Sequence, residues 1–129
     1  MAILKPVYML LNDLFFATKI VKTAQASGIE ARAFDSANRL VQAAKEKAPA
    51  LVMMDCQGLE KEAYQVLREF RSSEELKTMP VIGYLAHVAV DLKREMRDAG
   101  CIHVYNKSEF VRELENLLAR YAHGVSSRI

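Results

Sequence analysis

Five short apolar runs, each followed by a stretch with helical spacing, set the strongest limit on what this chain can fold into. The runs are Val7 to Leu11, Glu30 to Phe34, Leu51 to Met54, Val81 to Leu85 and Ile102 to Tyr105. Four of the five are almost continuously apolar, as strands covered on both faces are. A sheet with one wet face would alternate instead. Only the second run alternates, through Glu30 and Arg32, which suits an edge strand. Between the runs, apolar residues recur at helical spacing. The sets are Phe16, Ile20 and Ala24; Ala37, Leu40, Val41 and Ala44; Ala63, Leu67 and Phe70; Leu92, Met96 and Ala99; and Phe110, Leu114, Leu117, Leu118 and Tyr121. Punctuation agrees: Gly28 and Gly100 fall where helices end, Pro49 and Pro80 precede strands, and Ser36 and Ser108 are placed to cap helix starts.

The pattern is (βα)5. Right-handed crossovers between parallel neighbours then give a doubly wound five-stranded parallel sheet. The 129 residues, 51% hydrophobic and 26% charged, suit a single domain over 1–129, with a core from about 6 to 122 and a short C-terminal tail. A chain of this size buries roughly two-thirds of its unfolded surface and needs no staples. Cys56 and Cys101 fit neither a disulfide framework nor a metal spacing, so both read as reduced packing residues. Met9, Met53, Met54 and Met96 read as core fillers.

Charge excludes some partners. Eighteen basic against sixteen acidic residues leave a net +2, evenly mixed, which argues against direct nucleic-acid binding. The uncharged stretch from Met79 to Val90 holds a proline and a glycine and is well short of the roughly 20 residues a membrane span requires. No secretory signal is visible at Met1 to Pro6, so the expected location is cytoplasmic, with no membrane partner.

In a doubly wound sheet, ligands bind beyond the carboxyl ends of the strands. Those ends are Asn12-Asp13, Asp55-Cys56-Gln57, Ala86-His87 and Asn106-Lys107. Asp13, Asp55 and Lys107 should converge there. Two carboxylates about 5 Å apart repel by roughly 3 kcal/mol at an effective dielectric of 20, so the pair calls for a cation. Lys107 or a bound Mg²⁺ could supply it, the latter held by Asp13, Asp55 and a backbone carbonyl. An aspartate beside such a metal can attack a phosphoryl donor and form an aspartyl phosphate. His87 reads as an exposed loop residue near this crevice, and His103 and His123 fit no zinc pattern with it. Lys93, Arg94, Glu95, Arg97 and Asp98 read as a solvated helix face or a docking surface.

At these residues the chain resembles a response-regulator receiver domain, from Val7 to about Ala122. The resemblance implies the flavodoxin-like strand order 2-1-3-4-5. It places the family's acidic pair on Asn12 and Asp13, its phospho-accepting aspartate on Asp55 and its lysine on Lys107, within Asn106-Lys107-Ser108. The carbonyl of Gln57 would complete the family's metal site, and Ala99-Gly100-Cys101 is similar to its Ala-Gly-Ala turn. Asn12, an amide where the family has an acid, either joins that site or bridges turn backbone groups.

Departures come with the likeness. Leu85 stands where the family has a threonine or serine that bonds the phosphoryl group, and Val104 where it has a switching aromatic. Ser108 replaces the proline after the lysine. The resemblance therefore implies a stand-alone signalling domain, a degenerate or pseudo-receiver, acting by protein contact. Its implied partners are a histidine kinase or phosphotransfer protein and a separate output protein, with a homodimer through the last helices and strand. Mg²⁺ is the implied cofactor. Two further readings stand beside it: a phosphorylation-independent assembly module, and a small flavodoxin-like enzyme. The enzyme reading is weakened by the absence of Gly-x-Gly-x-x-Gly after the first run, where Leu11-Asn12-Asp13-Leu14-Phe15 stands instead.

Overall fold

The computed structural model describes residues 4–86 and 89–123. Five strands and five helices alternate along the chain. They are β1 (Val7–Leu10), α1 (Leu14–Ala26), β2 (Ala31–Phe34), α2 (Ala37–Glu46), β3 (Leu51–Asp55), α3 (Glu60–Arg71), β4 (Val81–Leu85), α4 (Val90–Ala99), β5 (His103–Asn106) and α5 (Lys107–Ala122). The strands form one parallel sheet in the order β2-β1-β3-β4-β5, as anticipated. Strand limits shift by about one residue from the apolar runs, because hydrogen bonding, not hydropathy, ends a ladder. Thus β2 starts at Ala31, and β3 and β5 extend to Asp55 and Asn106.

Near-continuous apolar sequence in β1, β3 and β4 follows from burial on two faces. Alternate residues serve opposite cores. Val7, Met9, Met53, Ile82 and Tyr84 pack with Phe16, Ile20, Phe110 and Leu114 under α1 and α5. Tyr8, Leu10, Met54, Leu85 and Val104 pack with Leu40, Leu67, Phe70 and Met96 under α2, α3 and α4. The four core methionines are all buried, and so are both cysteines, which are free thiols.

Gly83 shows why a glycine can sit inside a buried strand. A Cβ built there would meet Cys56 Sγ at 2.5 Å, so the sulfur occupies the space a side chain would need. Gly28 (φ 74°) and Gly100 (φ 136°) take left-handed conformations that end α1 and α4, as their sequence positions suggest.

Ser36 caps α2, its Oγ accepting the Arg39 N–H at 3.4 Å. Ser108 does not cap α5. The helix starts two residues earlier than a Ser108 cap implies, with Asn106 as N-cap and its N–H donating to Glu109 Oε1 at 3.0 Å. The Asn-x-x-Glu spacing outcompetes the serine because it satisfies the first turn reciprocally. On α4, Arg94, Glu95, Arg97 and Asp98 are exposed, as expected of a solvated face, while Lys93, Leu92 and Ala99 are only half-buried. Among the described residues, no helix is long and apolar enough to cross a membrane.

Candidate functional site

The carboxyl ends of β1 and β3 are neighbours in the sheet, with β5 one strand further on beyond β4, and they carry Asp13, Asp55 and Lys107 to the same end of it. Asp13 follows β1 and is the N-cap of α1: its Oδ1 accepts the Phe16 N–H at 3.1 Å. Its other oxygen, Oδ2, faces Lys107 Nζ at 3.7 Å. Both side chains stay partly exposed, so this ion pair contributes little to stability by itself. The Lys107 ammonium also lies 4.3 Å from the centre of the Phe16 ring, which fixes it over the first turn of α1.

Asp55 closes β3 and is half-buried, with Oδ1 accepting the Gln57 N–H at 3.0 Å. Burial raises its carboxyl above the usual 3.8, opposed by the Gln57 N–H and by Lys107 and reinforced by Glu60 and Asp13. Lys107 therefore reaches both carboxylates electrostatically, yet its ion pair is with Asp13. Asn12 is exposed beside Asp13, and Cys56 is buried directly after Asp55. The hydrogen bond with the adjacent Cys101 thiol, and then burial, push the Cys56 thiol far up, so it is a poor nucleophile.

Leu85 and Val104 belong to the core beneath α3 and α4 and are fully buried. His87 lies outside the described residues. His103 is exposed against Tyr105 at the sheet edge, and His123 reaches the Ser27 carbonyl at 2.8 Å, so neither approaches the acidic end. Among the described residues, no group of three or more His, Cys, Asp and Glu side chains is placed to hold a metal ion.

One contributor escapes the sequence pattern. Phe16, Tyr84 and Phe110 form an aromatic layer under the site, with Tyr84 stacked 4.6 Å from Phe110 and edge-on to Phe16 at 5.4 Å. Tyr84 reads in sequence as one more core residue of a buried strand. Its pairing with Asp55 across β3 and β4 is visible only once the register is known.

No protein-family model matches the chain, and no curated protein matches it in sequence. Solved structures do share its fold, and they are response-regulator receiver domains. The phosphorylated cyanobacterial phytochrome response regulator RcpA superposes with a TM-score of 0.78 at 14% identity, over 95% of this chain and 96% of that one. The receiver domain of a sensor histidine kinase from Pseudomonas aeruginosa, solved with a magnesium ion coordinated in its active site cleft, gives 0.77 at 22% identity, covering 92% and 98%. A response regulator from Hahella chejuensis gives 0.77 at 14% identity, covering 97% and 98%. The protein thus has the receiver-domain fold, with five parallel strands in the order 2-1-3-4-5.

Proposed function

We propose that this protein is a two-component signalling domain that accepts a phosphoryl group on Asp55 and acts by contact with other proteins. The observation that carries the reading is the meeting of Asp13, Asp55 and Lys107 at the carboxyl edge of a receiver-type sheet. A half-buried carboxylate with one oxygen fixed by the Gln57 N–H is held as an oriented nucleophile. Its free electron pair attacks phosphorus in a small phosphoryl donor. The bond to the leaving group breaks, and that group departs with the electron pair. Lys107 offsets negative charge on the phosphoryl oxygens.

The donor set also fits Mg²⁺. Asp13, Asp55 and the Gln57 carbonyl are hard oxygen ligands, and two mutually repelling carboxylates favour a divalent ion. Bound there, Mg²⁺ supplies positive charge to the transferring group. With Asn12 neutral, the set is one charge short of an acidic triad, which weakens the site. A histidine kinase or phosphotransfer protein would be the donor in the cell, a separate protein the output, and the last helices and strand the surface for a homodimer. The role is signalling, not independent enzymatic turnover.

Intact mass after incubation with acetyl phosphate and Mg²⁺ tests the chemistry. The expected result is gain of one phosphoryl group in the natural chain and none in Asp55→Asn. No gain in either refutes the acceptor role.

A second reading has its own observation. Leu85 and Val104 are apolar, fully buried and part of one core, so they offer neither the hydroxyl nor the ring that would relay a phosphoryl group's presence. On that reading the domain is a pseudo-receiver that binds its partner regardless of phosphorylation. Unchanged partner affinity in Asp55→Asn would favour it.

A further inference from the structure

Among the described residues, one buried side-chain polar atom has no hydrogen-bond partner: the hydroxyl of Tyr84. The residue is 3% exposed. Native proteins seldom leave a buried hydroxyl unpaired, and a phenylalanine would fill the same space without that penalty. The surroundings say what the hydroxyl is for.

Tyr84 is the register partner of Asp55 on the neighbouring strand and lies in the same core as α1 and α5, whereas Leu85 points into the other core. Its ring is clasped between Phe16 and Phe110. Those two residues stand three positions beyond Asp13 and Lys107, in the first turns of α1 and α5. The ring is therefore carried to the end of the sheet where the acidic pair and the lysine meet. After burial, the strongest influences on its phenol are the Asp55 and Asp13 carboxylates, which keep the proton on oxygen and so keep it a donor.

We propose that the Tyr84 hydroxyl is the hydrogen-bond donor to the anion carried on Asp55, entering from the α1/α5 side of the sheet, opposite the side on which Leu85 has no hydroxyl to offer. The inference rests on the phosphoryl-acceptor reading and names a residue that serves it. An anion on Asp55 gives the orphan donor its partner, and the donor in turn favours the occupied state.

Beryllium fluoride with Mg²⁺, used as a phosphoryl mimic, tests this on the full chain by ¹⁹F NMR titration. Tyr84→Phe is expected to weaken adduct formation by about ten-fold, the lower range for a donor to a charged acceptor. Its melting temperature should stay at or above that of the natural chain, since the variant loses only an unpaired hydroxyl. In the natural chain, ¹³Cζ-labelled tyrosine should show the Tyr84 signal moving on adduct formation. Equal affinity in Tyr84→Phe, or an unmoved Tyr84 signal while adduct forms, overturns the inference and leaves the acceptor reading intact. No adduct in the natural chain overturns the acceptor reading, and this one with it. Should Tyr84→Phe fail to fold, the labelled-tyrosine measurement decides alone.

Discussion

Replacing Gly83 by alanine would press a methyl group against the residue next to Asp55. The new Cβ lies 2.5 Å from Cys56 Sγ, 3.5 Å from Cys101 Sγ and 3.6 Å from Val104 Cγ2. Optimal separations between heavy atoms are about 3.5–4.0 Å, so only the Cys56 contact is a clash, of roughly 1 Å. Cys56 is fully buried and its N–H donates to the Tyr84 carbonyl at 3.0 Å, so the sulfur cannot retreat to solvent and the end of β3 must shift. Overpacking of this kind costs about 1–3 kcal/mol. Cys56→Ala alone should cost on the order of 1 kcal/mol for the buried volume it removes. Combined, the two changes relieve each other, because the added methyl moves into the space the sulfur leaves. The double variant should be more stable than the sum of the single losses by about 1–2 kcal/mol, within the range for residues in contact. Urea unfolding followed by circular dichroism measures all four proteins. Cys101→Ala is the control, since its sulfur is at ordinary contact distance and should give no rescue. Additivity of Gly83→Ala and Cys56→Ala to within about 0.5 kcal/mol, or equal rescue by Cys101→Ala, would refute the steric account.

Three further outcomes follow from single contacts. Burial, reinforced by Glu60 and Asp13, holds the Asp55 carboxyl above 3.8, so the folded state binds its proton more readily than the unfolded chain. Asp55 then subtracts stability at neutral pH and stops doing so as the pH falls to 3.8 and below; Asp55→Asn should raise the urea midpoint at pH 7, by a margin that shrinks on acidification, and a pH-independent margin would contradict this. The fully buried Tyr8 hydroxyl donates to the Lys47 carbonyl at 2.9 Å, at the end of α2, and Tyr8→Phe should lower the unfolding free energy by about 1–3 kcal/mol as that carbonyl loses its donor. Glu109→Ala removes the acceptor of the Asn106 N–H at 3.0 Å and should cost about 1 kcal/mol, with faster amide exchange at Asn106, and unchanged exchange there would show the cap to be idle.

Much of this architecture is legible in the sequence because parallel strands under two helical layers leave few other ways to write it. Val7 to Leu11 and Val81 to Leu85 have no polar alternation to confuse with an open sheet, and Asp13, Asp55 and Lys107 stand at or within three residues of strand ends, where topology brings them together. What escaped was set by geometry between elements. The cap of α5 passed from Ser108 to Asn106 because Glu109 completes a reciprocal pair, a preference that apolar periodicity does not register. Tyr84 passed for a filler because a phenol and a phenyl ring satisfy the same hydropathy pattern, while the neighbour across the ladder decides what its oxygen meets. The lysine's pairing with Asp13, and its seat 4.3 Å from the Phe16 ring, are contacts that no strand-end argument supplies.

Asp13 has no idle oxygen: Oδ1 holds the first turn of α1 through Phe16, and Oδ2 faces Lys107. Any cation that draws on this carboxylate competes with a helix for one atom and with an ammonium for the other. Loss of a side-chain cap typically costs about 1 kcal/mol, so full engagement of Oδ1 would weaken binding by roughly that amount and loosen the turn that carries Leu14 and Phe15. Those two side chains are 80% and 93% exposed. A cation that took Oδ1 would thereby disturb an apolar rim at the protein's surface, with no relay through Leu85 or Val104.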